Sequence, residues 1–279
     1  MSVKNFIPQI WSARLLAHLD KIHVYAGLVN RDYEGEITQY GDTVKINQIG
    51  DITIKKYTGA KIDDPDELTG EQNTLVIDQA NYFNFAIKDV DNAQTNPKLM
   101  NEAMARAAYG LNDTVDSLLA GIFVAGAAGA IGSDESPIVP TKDDAYDLLV
   151  DLGTELTEKN VPLVGRWVVV PPFYHGFLQK DSRFVGNGTD VNMAILQGGH
   201  IGAAAGFQIY VSNNVPNTEG AKYKILAGTN AGTSFAEQIT ETEGYRPESN
   251  FSDAVKGLHL CGAKVLQKDA LATLTVNKK

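Results

Sequence analysis

Cysteine is nearly absent. One thiol, Cys261, stands in 279 residues, which excludes an intrachain disulfide framework and fits a reducing compartment. Basic charge is also scarce: 24 Lys plus Arg face 34 Asp plus Glu, a formal net charge of -10. A protein that grips nucleic acid by neutralising phosphates carries a basic excess, whereas this field repels polyanions. No apolar run approaches the roughly 18–20 residues needed to cross a bilayer. The opening "MSVKNFIPQIWSARLLAHLD" has no continuous apolar stretch of the secretory kind. The expectation is a soluble chain without a membrane partner. Its composition, 43% hydrophobic and 21% charged, suffices for one large folded domain or two modest ones.

Recognisable chemistry is missing too. "GGHIGAAAGFQIYVSNNVP", residues 198–216, has the look of a phosphate loop, but its glycines precede a strand-like run. A dinucleotide fingerprint needs strand, glycines, then helix. "AGAAGAIG", residues 125–132, follows a helical pattern and reads as a helix stop. No GxxxxGK[ST], HExxH or GxSxG motif occurs. His18 and His23 are five apart, a poor helical match, and His175, His200 and His259 are scattered. With one cysteine, neither a structural zinc site nor any other metal or cofactor site is expected. His259 and Cys261 would share a strand face, so a nucleophilic pair is one reading and simple packing the other. The pairs Asp63–Asp64 and Asp143–Asp144 read as solvated groups, the second favourable beside a helix N-terminus. The aromatics of "NYFNFAI" have almost no interleaved basic residues, so they read as a packed face rather than a base-stacking platform.

What is present is a sequence of elements. Residues 5–30 suggest a short amphipathic helix, with Ile10, Leu15, Leu16, Leu19 and Ile22, followed by an extended arm. "DTVKINQIGDITIKKY" and "TLVIDQANYFNFAIKDV" alternate apolar and polar residues on either side of the polar "TGAKIDDPDELTGEQN". They predict a long antiparallel hairpin with arms of about 14 residues, about 45 Å each. Such a ribbon is marginal alone, so it needs a surface, partly that of another copy. Asn96 and Pro97 open a helix whose stripe runs through Met100, Met104, Ala107, Leu111, Val115, Leu118 and Ile122. A second helix is predicted from Thr141, with Asp144 three residues on, through Leu148, Leu149, Leu152 and Leu156. "GRWVVVPPFYHGFL" is a buried strand stopped by Pro171 and Pro172. "FQIYVSN", "YKILAGT", "GLHLCGAKVLQ" and "ALATLTVN" are short strands. The class is α+β.

In this order the elements resemble the major capsid proteins of tailed bacteriophages, the Hong Kong 97 fold. The matching segments are "YGDTVKINQIGDITIKKYTG", "NPKLMNEAMARAAYGLNDTVDSLL", "RWVVVPPFYHGFLQKDSRF" and "GGHIGAAAGFQIYVSNNVP". The resemblance implies an N-terminal arm at 1–36, an extended E-loop at 37–90 and a peripheral domain at 91–140 with a spine helix over about 95–125. It places an axial domain at 141–228 and a return to the peripheral domain at 229–279. It further implies a structural protein, not an enzyme, that assembles with itself through pentamers and hexamers into an icosahedral head around double-stranded DNA. That head would form in the host bacterial cytoplasm, with a separate scaffolding protein and a portal as partners. Some relatives crosslink a loop lysine to a neighbour's asparagine, which makes Lys55, Lys56 and Lys61 the candidates here; a solvated loop lysine is the simpler reading. The alternatives are an encapsulin-like compartment shell of the same fold, a tail or decoration protein, and a small hydrolase using Cys261 and His259.

Overall fold

A computed structural model describes residues 24–32, 41, 43–49, 54, 56, 70–88, 98–181, 183, 202–248 and 252–278. The N-terminal helix predicted before residue 24 and most of the hairpin tip lie outside them.

A seven-stranded mixed sheet forms the larger layer. Its strands are β4 (Gly129–Ile131), β5 (Arg166–Val170), β6 (Ala203–Ala204), β7 (Phe207–Val211), β8 (Asn217–Thr218), β9 (Lys222–Thr229) and β12 (Leu271–Asn277). They run in the order β4-β12-β9-β5-β7-β6, with β8 paired to β9. β5 is buried at every residue because both its faces are covered. Trp167 and Val169 face a helix, α1 (Lys98–Gly126), together with Leu226 and Leu271. Val168 and Val170 face α2 (Ala145–Glu158) and α3 (Pro172–Lys180) together with Ile225, Ala227, Ala272 and Leu274. Pro171 ends the strand and Pro172 opens α3, where a missing N–H costs nothing.

A smaller antiparallel sheet is formed by β3 (Gln79–Lys88), β10 (Thr233–Tyr245) and β11 (Ser252–Val265), in the order β10-β11-β3. α1 bridges the two layers. Met104, Ala108 and Leu111 pack with Val255, Phe83 and Phe85 of the small sheet, while Val115, Leu119 and Phe123 pack on the large one. The buried line of α1 therefore runs 104-108-111-115-119-123; Ala107, Leu118 and Ile122 of the expected stripe flank it at intermediate exposure.

Among the described residues the expected hairpin spans seven residues of each arm. β1 (Thr43–Ile49) pairs antiparallel with β2 (Gly70–Val76), Thr43 opposite Val76 and Ile49 opposite Gly70. The second alternating run divides after Ile77: its later half is β3, which pairs with β11 instead. β11 offers Phe83 and Phe85 a surface beneath α1, which β1 does not. Val44, Ile46, Leu75 and Ile77 seat the hairpin on Ala236 and Leu260. Gly262 makes this seat possible, because a Cβ there would collide with the Val76 carbonyl oxygen.

One further expectation is corrected. α2 begins at Ala145, not Thr141; residues 142–144 form a turn in which the Thr141 hydroxyl donates to Asp144 Oδ2 at 2.7 Å. The strands after Thr229 divide between the two sheets. β10 and β11 join β3, whereas β12 returns to the large sheet between β4 and β9. "LATLTV" in β12 is buried on both faces, and only an interior position between two helical layers gives that cover.

Candidate assembly surfaces

Among the described residues, those singled out for chemistry do not gather into an active-site constellation. Of the glycine-rich stretch, residues 202–216 are described, and they build a tight β6–β7 hairpin. Ala205 (φ 51°) and Gly206 (φ 80°) form its turn, the backbone signature of a two-residue hairpin loop. Phe207 follows into the core at 1% exposure. No helix follows the glycines, so the stretch is a corner of the sheet.

His259 and Cys261 do share a face of β11, but they do not make a nucleophile and its base. Cys261 is fully buried. Burial, with the charges of Glu237 and Asp78 behind it, pushes the thiol up to about 12, the reverse of what activation requires. His259 is directed to a different group: its Nε2 lies 3.0 Å from Glu237 Oε2 on β10. Glu237 also pairs with Arg31, whose guanidinium stands over the Phe235 ring. The cluster fastens the residue-31 segment to the small sheet. Composition gave no sign of it, because its members lie on three separate segments.

His175 is on α3, and Asp143 and Asp144 are exposed in the turn before α2. Phe83 and Phe85 stack at 6.0 Å beneath α1. Lys56 is exposed; Lys55, Lys61, Asp63, Asp64, His18, His23 and His200 lie outside the described residues. Among the described residues, no three His, Cys, Asp or Glu side chains gather as a metal site.

What the described surface does offer is apolar area. Tyr82 is 78% exposed and Tyr109 61%. Both border grooves along α1, one of about 410 Å³ beside β3 that includes Ala107, Gly110 and Leu111. Leu163 and Val164 are 69% and 89% exposed. They sit on a turn that a single buried cation holds. Arg166 donates Nε to the Pro162 carbonyl (2.9 Å), Nη2 to that of Val161 (2.6 Å), and Nη1 to the Gly153 carbonyl and Thr157 hydroxyl (2.9 and 3.0 Å). The guanidinium thereby satisfies acceptors near the C-terminus of α2, where positive charge is favourable.

These features suit a protein that works by contact, and comparison with known proteins gives the contact a setting. Residues 71–275 match the family described as phage capsid protein. The chain belongs to that family. Among solved structures, the capsid protein is similar to one from Mycobacterium phage Che8, with 29% identity, 90% of each chain covered and a TM-score of 0.76. It shares its fold with the capsid of the cyanophage P-SCSP1u (14% identity, 87% and 85% covered, TM-score 0.69). It also shares it with a virus-like particle from Pyrococcus furiosus (14% identity, 96% and 99% covered, TM-score 0.60). No curated protein matches the chain. The α+β Hong Kong 97-type architecture expected from the sequence is the one observed, and the capsid protein is a structural shell component.

Proposed function

We propose that this capsid protein assembles with itself through pentamers and hexamers into an icosahedral head that encloses double-stranded DNA. The observation that carries the reading is the match over 90% of both chains to the Che8 structure at 29% identity. Exposed apolar side chains on ordered segments agree with it, since a lone subunit gains nothing from them. Contacts between different surfaces of identical copies close into rings, and rings joined by further contacts close into shells. With many such contacts, no single one need be strong.

On this reading residues 1–36 are the arm, 37–90 the E-loop and 91–140 the peripheral segment with α1 as spine. Residues 141–228 are axial and 229–279 return, with β12 contributing to the axial sheet. The net charge of -10 keeps the shell from gripping packaged DNA tightly. A separate scaffolding protein and a portal complete the head, which forms in the host cytoplasm. Lys55, Lys56 and Lys61 are the positions from which a loop-to-neighbour crosslink to an asparagine would start. The buried Cys261 thiol speaks against the hydrolase alternative.

Negative-stain electron microscopy with size-exclusion chromatography tests the proposal, on the chain alone and with a co-expressed scaffolding protein. Closed shells or pentamer and hexamer rings are expected. A monodisperse monomer or dimer under every condition refutes it. Particles that contain a co-purifying enzyme instead of scaffold or genome would assign the same fold to a compartment shell.

A further inference from the structure

The turn at 160–165 joins α2 to β5 and is built with unusual firmness for a surface loop. Val161 is tucked into the core, and its N–H donates to the Leu156 carbonyl at 3.0 Å. The carbonyls of Pro162 and Val161 both accept from Arg166, which is 4% exposed. Gly165 closes the turn at φ +79°, a conformation that side-chain-bearing residues rarely adopt. All this order presents Leu163 and Val164 to solvent. Neighbouring apolar residues with that much surface are a cost to an isolated subunit, and a rigid backbone removes most of the entropy lost on docking.

The surroundings point to what covers them. Val164 stands on the rim of a cleft of about 1270 Å³. Among the described residues, three lysines, Lys159, Lys264 and Lys268, line the cleft with one carboxylate, Asp269. Lys159 is engaged by Glu155 at 3.1 Å. That leaves Lys264 and Lys268 against Asp269, a small basic excess on a chain whose net charge is -10. An acidic protein meets the least repulsion there, and the acidic protein present in many copies is this chain itself. We infer that the Leu163–Val164 turn is a preformed knob that seats on a second copy of the chain during shell assembly, beside the basic cleft. The inference rests on the shell reading above.

The test compares wild type with Leu163→Ser/Val164→Ser and with the apolar pair Leu163→Met/Val164→Ile. Assembly is followed against subunit concentration by light scattering and electron microscopy. Both side chains are exposed, so the melting temperature of the unassembled subunit should match wild type in both variants. The serine pair should raise the concentration needed for assembly at least about tenfold, the loss expected from two apolar side chains left in water. The apolar pair should restore it. Assembly of the serine pair at the wild-type concentration overturns the inference while leaving the shell reading intact. A lowered subunit melting temperature assigns the residues to the subunit's own packing and also overturns it. If wild type forms no oligomer, the shell reading fails and this contact fails with it.

Discussion

The backbone N–H of Tyr25 donates to Asp116 Oδ1 at 2.9 Å, across 91 residues of sequence. The same oxygen accepts from Val24 N–H at 3.2 Å, and Asp116 Oδ2 lies 3.3 Å from Asn214 Nδ2. One side chain in the middle of α1 thus fixes where the N-terminal segment enters the core and where the loop after β7 lies. Replacing Asp116 with Ala strands buried donors. We expect a loss of about 2–3 kcal/mol, read as a lower urea midpoint of the unassembled subunit. Asp116→Asn keeps an acceptor oxygen and should lose clearly less.

Arg166 supplies a second measurable element. Arg166→Met removes four hydrogen bonds and leaves the carbonyls of Gly153 and Val161 without them. The expected destabilisation is about 2–4 kcal/mol. Arg166→Lys should recover less than half of it, because an ammonium cannot reproduce the guanidinium fork. Chemical denaturation of both variants checks the order.

The pH dependence has a defined sign at Asp181. Hydrogen bonds from the Arg183 side chain, joined by its backbone N–H and its charge, outweigh the opposing effect of burial and hold the Asp181 carboxyl below its usual range. Its contribution is therefore complete above the unfolded value of about 3.9. It is lost as pH falls through the lower folded value, when the native state must take up the proton. Melting temperature should fall as pH drops below about 4, and Asp181→Asn should show a shallower fall there. Parallel curves would remove the assignment.

Cys261 should be silent towards thiol reagents. With the thiol at about 12 and the side chain fully buried, Ellman's reagent at pH 8 should label it only after denaturant is added. Cys261→Ala should leave assembly unchanged and cost about 1 kcal/mol of packing. Labelling of the native subunit at the rate of a free thiol contradicts the burial.

Some of this architecture was legible in the residues and some was not, for physical reasons. α1 and β5 announce themselves because a stripe and an unbroken apolar run are one-dimensional records of burial. The stripe was displaced by a residue at Ala108, Leu119 and Phe123 because two different sheets share one helix. β10 went unread: "TSFAEQITETEGY" mixes polar residues into both faces. It is a strand because β11 pairs with it from Thr233 to Tyr245, with one irregularity between Ile239 and Glu241. The alternation of "TLVIDQANYFNFAIK" is real, but alternation names no partner: it is the same whether the run pairs with β1 throughout or, as here, gives its later half to β11. Least legible were the contacts of Asp116 and Glu237, single polar residues whose partners are distant in sequence, and of Arg166, whose acceptors are near in sequence but mostly backbone carbonyls, which leave no mark in it. Leu163 and Val164 gave no signal either, since an apolar pair in a sequence looks alike whether it points inward or outward.

The place of β12 has a consequence for how subunits are made. Its parallel partner β4 is complete by Ile131, and its antiparallel partner β9 by Thr229. Yet the gap between them stays open until residues 271–277 have been synthesised. Pairings so distant in sequence form slowly, and here the last of them closes the middle of the larger sheet. A nascent chain still on the ribosome before that point has two helical layers without a continuous floor between them. Subunit completion, rather than subunit concentration alone, then sets the earliest moment at which a shell can start to grow, and prematurely terminated chains are barred from it.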